Sequence, residues 1–306
     1  SHLRIRQFKA TGKDAIVQTI GNGTFAATTA VSTPSGAAFE GTFDGQGYAL
    51  RNLKMEAALT GDNQAYGLFG VLKGATVKNL VLGAENGDTG SFKVSGNGVT
   101  STGVIAGASV ESTIEECTSY LPMECLGNGA SNKLMTMGLV GFVYGAGTSD
   151  ETVTKLIGLK NYGAMKAVPG AANTNGFTST QAGCIAGVSN TSRTSTFRNL
   201  ITRCANYGDM TVSTGRASGI VAAANTFTVV SECENHGDML NTYGESGGGR
   251  LGNITCILGT SSVVDGCTNY GDIVATNAKT HAGGLVCLTN SADSEVVNSA
   301  NYGNVI

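Results

Sequence analysis

Seven residues recur almost unchanged along this chain. Cys204-Ala205-Asn206-Tyr207-Gly208-Asp209-Met210 returns as Cys233-Glu234-Asn235-His236-Gly237-Asp238-Met239 and again as Cys267-Thr268-Asn269-Tyr270-Gly271-Asp272-Ile273. Weaker copies stand at Asn161-Tyr162-Gly163-Ala164-Met165 and Asn301-Tyr302-Gly303-Asn304-Val305. A motif that returns at such intervals requires stacked supersecondary units sharing one continuous core. The 306 residues therefore read as one elongated body rather than two globular domains.

The units can be laid over one another. Each opens on a Gly-apolar-apolar strand, with starts at Gly67, Gly103, Gly138, Gly183, Gly219, Asn253 and Gly284. Each continues into a second strand with two apolar columns. The first is Val77, Ile114, Leu156, Ile201, Val230, Val264 and Val296; the second, three places on, is Leu80, Cys117, Leu159, Cys204, Cys233, Cys267 and Ser299. Such columns mark the interior. A spacing of three between inward positions does not fit one flat strand, whose side chains repeat every two residues, so a bend must lie between them. Bends of that kind form the corners of a parallel β-helix. The 45 glycines against 3 prolines suit many short strands joined by tight turns, and no amphipathic helical period is evident. The expected fold is all-β: a single right-handed parallel β-helix of about eight coils spanning residues 39–306, with residues 1–38 as an irregular N-terminal cap.

Residues 39–82 carry a finer signature. Phe39-Glu40-Gly41-Thr42-Phe43-Asp44-Gly45-Gln46-Gly47-Tyr48-Ala49-Leu50-Arg51-Asn52-Leu53 is followed by Gly67-Leu68-Phe69-Gly70 and then by a strand ending Asn79-Leu80. This order resembles the bacterial surface β-helix repeats with the GLUG motif, found also in the amino-terminal region of IgA-specific metallopeptidases, with Tyr48 where the family usually has His. Beyond residue 100 the likeness is to the general repeat. The resemblance implies a bacterial, exported, surface-associated module, and no metallopeptidase catalytic motif accompanies it.

Charge and cysteine content narrow the partners. With 19 basic against 22 acidic residues and no basic run, the chain lacks a phosphate-binding footprint, and nucleic acid is not an expected partner. Cys117, Cys204, Cys233 and Cys267 follow the repeat, so the eight cysteines read as largely free, buried thiols, with bridges between stacked neighbours a lesser alternative. No Cys-x-x-Cys pair suggests zinc. No apolar run reaches membrane-span length. Ser1-His2 has the look of a cleaved tag, so a signal or lipid anchor is expected to lie on a segment absent here.

The candidate ligand-binding residues form one column: Tyr120, Tyr162, Tyr207, His236, Tyr270 and Tyr302. Because Cys and Asn at alternate places face inward, these aromatics should face out, either as a platform for sugar rings or a partner protein, or as a stack that merely covers the corner. The preceding asparagines, Asn161, Asn206, Asn235, Asn269 and Asn301, are expected to form an internal ladder at left-handed backbone angles, with the glycine two places on completing the turn. Asp209, Asp238 and Asp272 make a further column, read as turn aspartates bonding backbone amides in preference to a calcium site. Glu232 and Glu234 should point outward together at about 6.6 Å along one strand, a spacing near that of an inverting glycosidase pair, although Arg203 one coil earlier makes a surface ion pair the simpler account. No catalytic residue, metal or cofactor is assigned.

The leading expectation is an extracellular, adhesin-like binding module without catalysis, presenting a long face to a glycan or to a host or cell-surface protein. The alternatives are a β-helix carbohydrate-active enzyme, with the third-coil insertion at 141–153 walling a groove of carboxylates and Lys or Arg, and a structural spacer.

Overall fold

The computed structural model describes residues 38–59, 61–96, 98–127, 135–169, 180–192, 195–213, 215–242, 249–276 and 280–306, and the backbone of 2–4, 15–16, 23–24 and 35–36. Its architecture is that of an all-β parallel solenoid. One coil shows the plan: Thr76–Lys78 belongs to sheet 1, Val81–Leu82 to sheet 2, Ser91–Gly96 to sheet 3 and Thr100–Val110 to sheet 4. Sheets 1, 2 and 3 hold nine, eight and eight strands, each pairing with its counterpart one coil away, while sheet 4 gathers 14 strands, nine of them along its main path. The described pairs are parallel except at one edge of sheet 4, where Gly23–Thr24 lies antiparallel to Ser35–Gly36 and to Thr24's partner Gln64. The single helix among the described residues is the 3-10 turn Asp150–Thr152.

Both apolar columns lie in register. Val77, Ile114, Leu156, Ile201, Val230, Val264 and Val296 pair in succession through sheet 1. Phe43 and the backbone of Leu3 continue the row. The second column is equally interior: Leu80, Cys117, Leu159, Cys204, Cys233 and Cys267 are buried. All eight cysteines are free thiols, and seven of them are buried.

The bend between the columns is one left-handed residue per coil. Asn79, Glu116, Gly158, Arg203, Glu232, Gly266 and Asn298 all have φ between 49° and 64°. Five of these seven are not glycine, so the corner recurs even where an L side chain pays the cost of αL, about 1–2 kcal/mol per residue. This relocates the strain expected at the asparagines: Asn161, Asn206, Asn235 and Asn269 are buried strand residues, and only the residue before the cysteine column is left-handed.

The glycine after each aromatic is likewise required for a different reason than the one expected. Gly208, Gly237 and Gly271 do not have positive φ. A Cβ on Gly237 would stand 2.1 Å from the Gly208 carbonyl oxygen of the coil before. Proximity between coils, not turn geometry, excludes a side chain there.

Sheet 4 corrects the coil starts. Gly183 pairs with Ser218, and Leu251 and Gly252 pair with Ala282 and Gly283. With Ala217 opposite Leu251, the last three starts are Ser218, Gly252 and Gly283, one residue earlier than the Gly-apolar-apolar pattern places them. The pattern is misleading here because Gly219, Asn253 and Gly284 stand where Cys184 stands in the earlier coil, so the apolar pair begins one place late although strand pairing keeps one offset across the bend. Gly219 and Gly284 are small for another reason: a Cβ at either would strike the Asn235 or Asn301 side chain, at 2.1 and 2.4 Å.

The backbone of His2–Arg4 and Ala15–Ile16 adds parallel strands beside Thr42–Asp44 and Leu53–Lys54. Apart from Gly23–Thr24 and Ser35–Gly36 at the edge of sheet 4 and Ala38, the rest of the expected cap lies outside the described residues.

Candidate functional site

Sheet 2 is the corner on which the heptapeptide repeat sits. Its strands are two residues long, as in Ala205–Asn206, Glu234–Asn235 and Thr268–Asn269. The second residue of each turns inward. Asn161 Nδ2 donates to Asn206 Oδ1 at 2.8 Å, Asn206 to Asn235 at 2.8 Å, Asn235 to Asn269 at 2.8 Å and Asn269 to Asn301 at 2.7 Å. Each amide also donates to the carbonyl of the glycine two residues on. The internal ladder is thus formed as the sequence implies.

The next residue turns outward and makes the aromatic column. Ring centroids are 4.9 Å apart for Tyr120 and Tyr162, 4.7 Å for Tyr162 and Tyr207, 4.7 Å for Tyr207 and His236, 4.6 Å for His236 and Tyr270, and 5.5 Å for Tyr270 and Tyr302. The interplanar angles are 8° to 15°. All six candidate residues are therefore brought together, but their faces are turned to one another. At this spacing no sugar ring can slip between them, so the column offers edges and polar tips to solvent. Burial, and next the neighbouring Tyr162, push the phenols of Tyr120 and Tyr207 above their ordinary range, so those tips are neutral hydroxyls at physiological pH. His236 Nε2 lies 3.0 Å from Glu234 Oε2.

The aspartates serve the backbone. Asp209 Oδ1 accepts from the Asp238 amide at 2.9 Å, Asp238 Oδ1 from the Asp272 amide at 2.8 Å, and Asp272 Oδ1 from the Asn304 amide at 2.6 Å. Each carboxylate thus caps the following coil, the turn role expected for it. No group of three metal-ligating side chains occurs among the described residues.

Glu232 and Glu234 do not share a flat strand. Glu232 is the left-handed corner residue at φ 52°, so the strand-rise separation does not apply to the pair. Arg203 ion-pairs at 3.9 Å with Glu116, two coils back, reaching across the bare Gly158, where a Cβ would meet Glu116 Oε1 at 2.5 Å. The third-coil insertion is partly strand, since Met135–Gly145 runs into it, and its turn contains Asp150–Thr152; none of its residues lines the groove described next.

A groove of about 560 Å³ runs over sheet 3 beside the aromatic corner. It is lined by Ser91, Pro122, Ala164 and Asp209, and by a charged row, Glu56, Lys93, Glu124 and Lys166. Pro122, Ala164 and Asp209 each stand two residues after a ladder tyrosine. The charged residues pair in register and alternate in sign. Glu124 lies 3.4 Å from Lys93 and 3.2 Å from Lys166. Burial pushes its carboxyl up, but the hydrogen bonds from Lys166 and Lys93 prevail and hold it below the usual carboxylate range. Glu124 is thus an ionised clamp between two ammoniums. Sequence reasoning missed this row, although each member directly follows a core residue (Met55, Phe92, Met123, Met165). A second groove, of about 450 Å³, follows sheet 4 and is lined by Asn190, Thr191, Asn225, Thr226, Gly259, Thr260 and Asn290, with no charged side chain.

No protein-family model matches the chain, and no curated protein matches it. Among solved structures it is similar to a Bacteroides ovatus protein described as a "putative immunoglobulin A1 protease", at TM-score 0.50 and 14% identity over 86% of this chain and 68% of that one. At that identity the likeness is one of fold.

Proposed function

We propose that this protein is a surface-associated binding module of a bacterium, adhesin-like and without catalysis of its own, that holds an extended glycan along the aromatic corner and the adjoining groove of sheet 3. The observation that carries this reading is the row of tyrosine edges beside a charged groove whose floor, at Pro122, Ala164 and Asp209, lies two residues from Tyr120, Tyr162 and Tyr207. An extended ligand lying along the coils would meet the Tyr120, Tyr162 and Tyr207 hydroxyl tips beside Glu124 and Lys166, and then Lys93 and Glu56 where the charged row runs on past the tyrosines. The sequence resemblance of residues 39–82 to the GLUG-type surface repeats points the same way, and in this reading the solenoid winds right-handed in about eight coils with residues 1–38 closing one end.

The test is a glycan-array screen of the protein beside a Tyr162→Ala, Tyr207→Ala, Tyr270→Ala variant whose fold is checked by circular dichroism. Selective binding that the folded variant loses is the expected result. Absence of binding by either protein would remove the glycan reading and leave a protein partner or a spacer role.

One observation favours a second reading. Carboxylates and lysines share the sheet 3 groove, the constellation a carbohydrate-active enzyme needs. Incubating any bound glycan with the protein and with Glu124→Gln separates the two: new reducing or unsaturated ends that vanish in the variant would make the groove an active site.

A further inference from the structure

Two cysteines stand apart from the interior column. Cys256 and Cys287 occupy neighbouring strands of sheet 4, Thr255–Thr260 and Val286–Thr289. Thr255 pairs with Val286 and Ile257 with Leu288, which places the two cysteines directly opposite each other. Their side chains point the same way, for each sulfur lies against the carbonyl oxygen six residues earlier, Cys256 against Arg250 at 3.1 Å and Cys287 against His281 at 3.3 Å. Adjacent parallel strands lie about 4.8 Å apart, inside the 4.4–6.8 Å Cα separation that a disulfide spans.

The surroundings are cationic. Arg216 and Arg250 pair in neighbouring strands, and both charges act on the Cys256 sulfur, which rests on the Arg250 carbonyl. Among the described residues neither arginine has a carboxylate at ion-pair distance. Cys256 is buried and Cys287 half-buried, so a reagent reaches one sulfur first and the other stands behind it. Reactive cysteines sit in partly exposed, electropositive surroundings of this kind, next to a resolving partner.

We propose that Cys256 and Cys287 are a redox-active thiol pair that closes to a disulfide between two neighbouring coils on meeting a low-molecular-weight disulfide. The Cys287 thiolate attacks one sulfur of the reagent; a protein–reagent S–S bond forms, the reagent's own S–S bond breaks, and the first reagent thiol leaves. Cys256 then loses its proton to solvent and attacks the Cys287 sulfur, expelling the second reagent thiol. Two protein thiols are oxidised and one disulfide is reduced to two thiols. The roles follow from the thiols' states. The hydrogen bond from Cys256, then that from Leu251 and the Arg250 charge, outweigh burial and bring Cys287 down to about 7, while Cys256, as the hydrogen-bonded proton donor and a buried group, is raised.

The interior thiols are a built-in control. Cys204, Cys233 and Cys267 also lie opposite one another, but at 0–1% exposure they are closed to reagents. The experiment treats the folded protein with oxidised glutathione at neutral pH, quenches with acid and maps the peptides without reduction. The expected product is a Cys256–Cys287 cross-link with the interior cysteines still reduced. Cys256→Ser should instead accumulate a stable glutathione adduct on Cys287, and Cys287→Ser should leave Cys256 unmodified, each variant being checked for native circular dichroism. Arg250→Gln should slow the first step several-fold. A Cys287 that stays reduced, an adduct that persists in the unmutated protein, or cross-links appearing first in the interior column would each overturn the proposal.

Discussion

Asn206 and Tyr207 are neighbours in sequence, and both belong to ladders that run through the same corner, yet the two ladders do different work. The asparagine row is closed: inside the solenoid each amide donates once to the next asparagine and once to a glycine carbonyl. The tyrosine row is open, with Tyr207 at 39% exposure and its ring faces shared only with its neighbours. A buried polar ladder fixes the register, because slipping a coil would strand donors and acceptors away from water. An exposed aromatic stack adds a modest increment of stability and leaves a surface free for partners.

The widest separation between inside and outside is expected under alkali. Burial pushes Cys117 and Cys125 up to about 12, against an ordinary value of 9.0 for the unfolded chain. For these acids the raised folded value means that the unfolded state loses its protons first. Stability should hold below pH 9 and fall as pH rises from there toward 12, by up to about 1.4 kcal/mol per pH unit for each buried thiol. Denaturant midpoints measured from pH 7 to 11 check this; a flat profile would mean that the thiols are not sealed from water.

Breaking the inner ladder comes next. Asn235→Ala leaves the Asn206 amide, the Asn269 Oδ1 and the Gly237 carbonyl without their partner, and should cost about 3 kcal/mol, since each stranded buried group costs roughly 1–3 kcal/mol. Urea denaturation followed by circular dichroism measures it. Tyr207→Ala removes two stacking contacts and should cost about 1–2 kcal/mol, with the native spectrum retained. An equal loss for Asn235→Ala and Tyr207→Ala would erase the distinction drawn between the ladders. The smallest effect belongs to the groove: Lys93→Ala should change stability by less than about 1 kcal/mol, because its pairing with Glu124 is solvent-screened, while altering any ligand affinity measured there.

Much of this corner was legible in the sequence, and particular residues show why. The columns Val77 to Val264 and Leu80 to Cys267 were readable because an interior position rejects polar side chains in coil after coil. The asparagine ladder and the capping aspartates were readable because a residue that bonds its own counterpart one coil away must recur with the coil. The left-handed corner was not: Asn79, Glu116, Arg203, Glu232 and Asn298 share a backbone angle but no side-chain chemistry. The starts at Ser218, Gly252 and Gly283 were missed because Gly219, Asn253 and Gly284 replace the apolar residue that follows Gly183, so the apolar pattern begins one place late, and only strand pairing reveals it.

The sequence alone determined that the chain would stack, which side chains would face inward and that six aromatics would share one outer line, because each is a condition repeated in every coil. The tertiary structure alone decided that those rings spend their faces on one another, that Glu56, Lys93, Glu124 and Lys166 converge on one groove, and that Cys256 and Cys287 meet. Those outcomes depend on distances between coils, which a side chain's identity does not encode and strand register does.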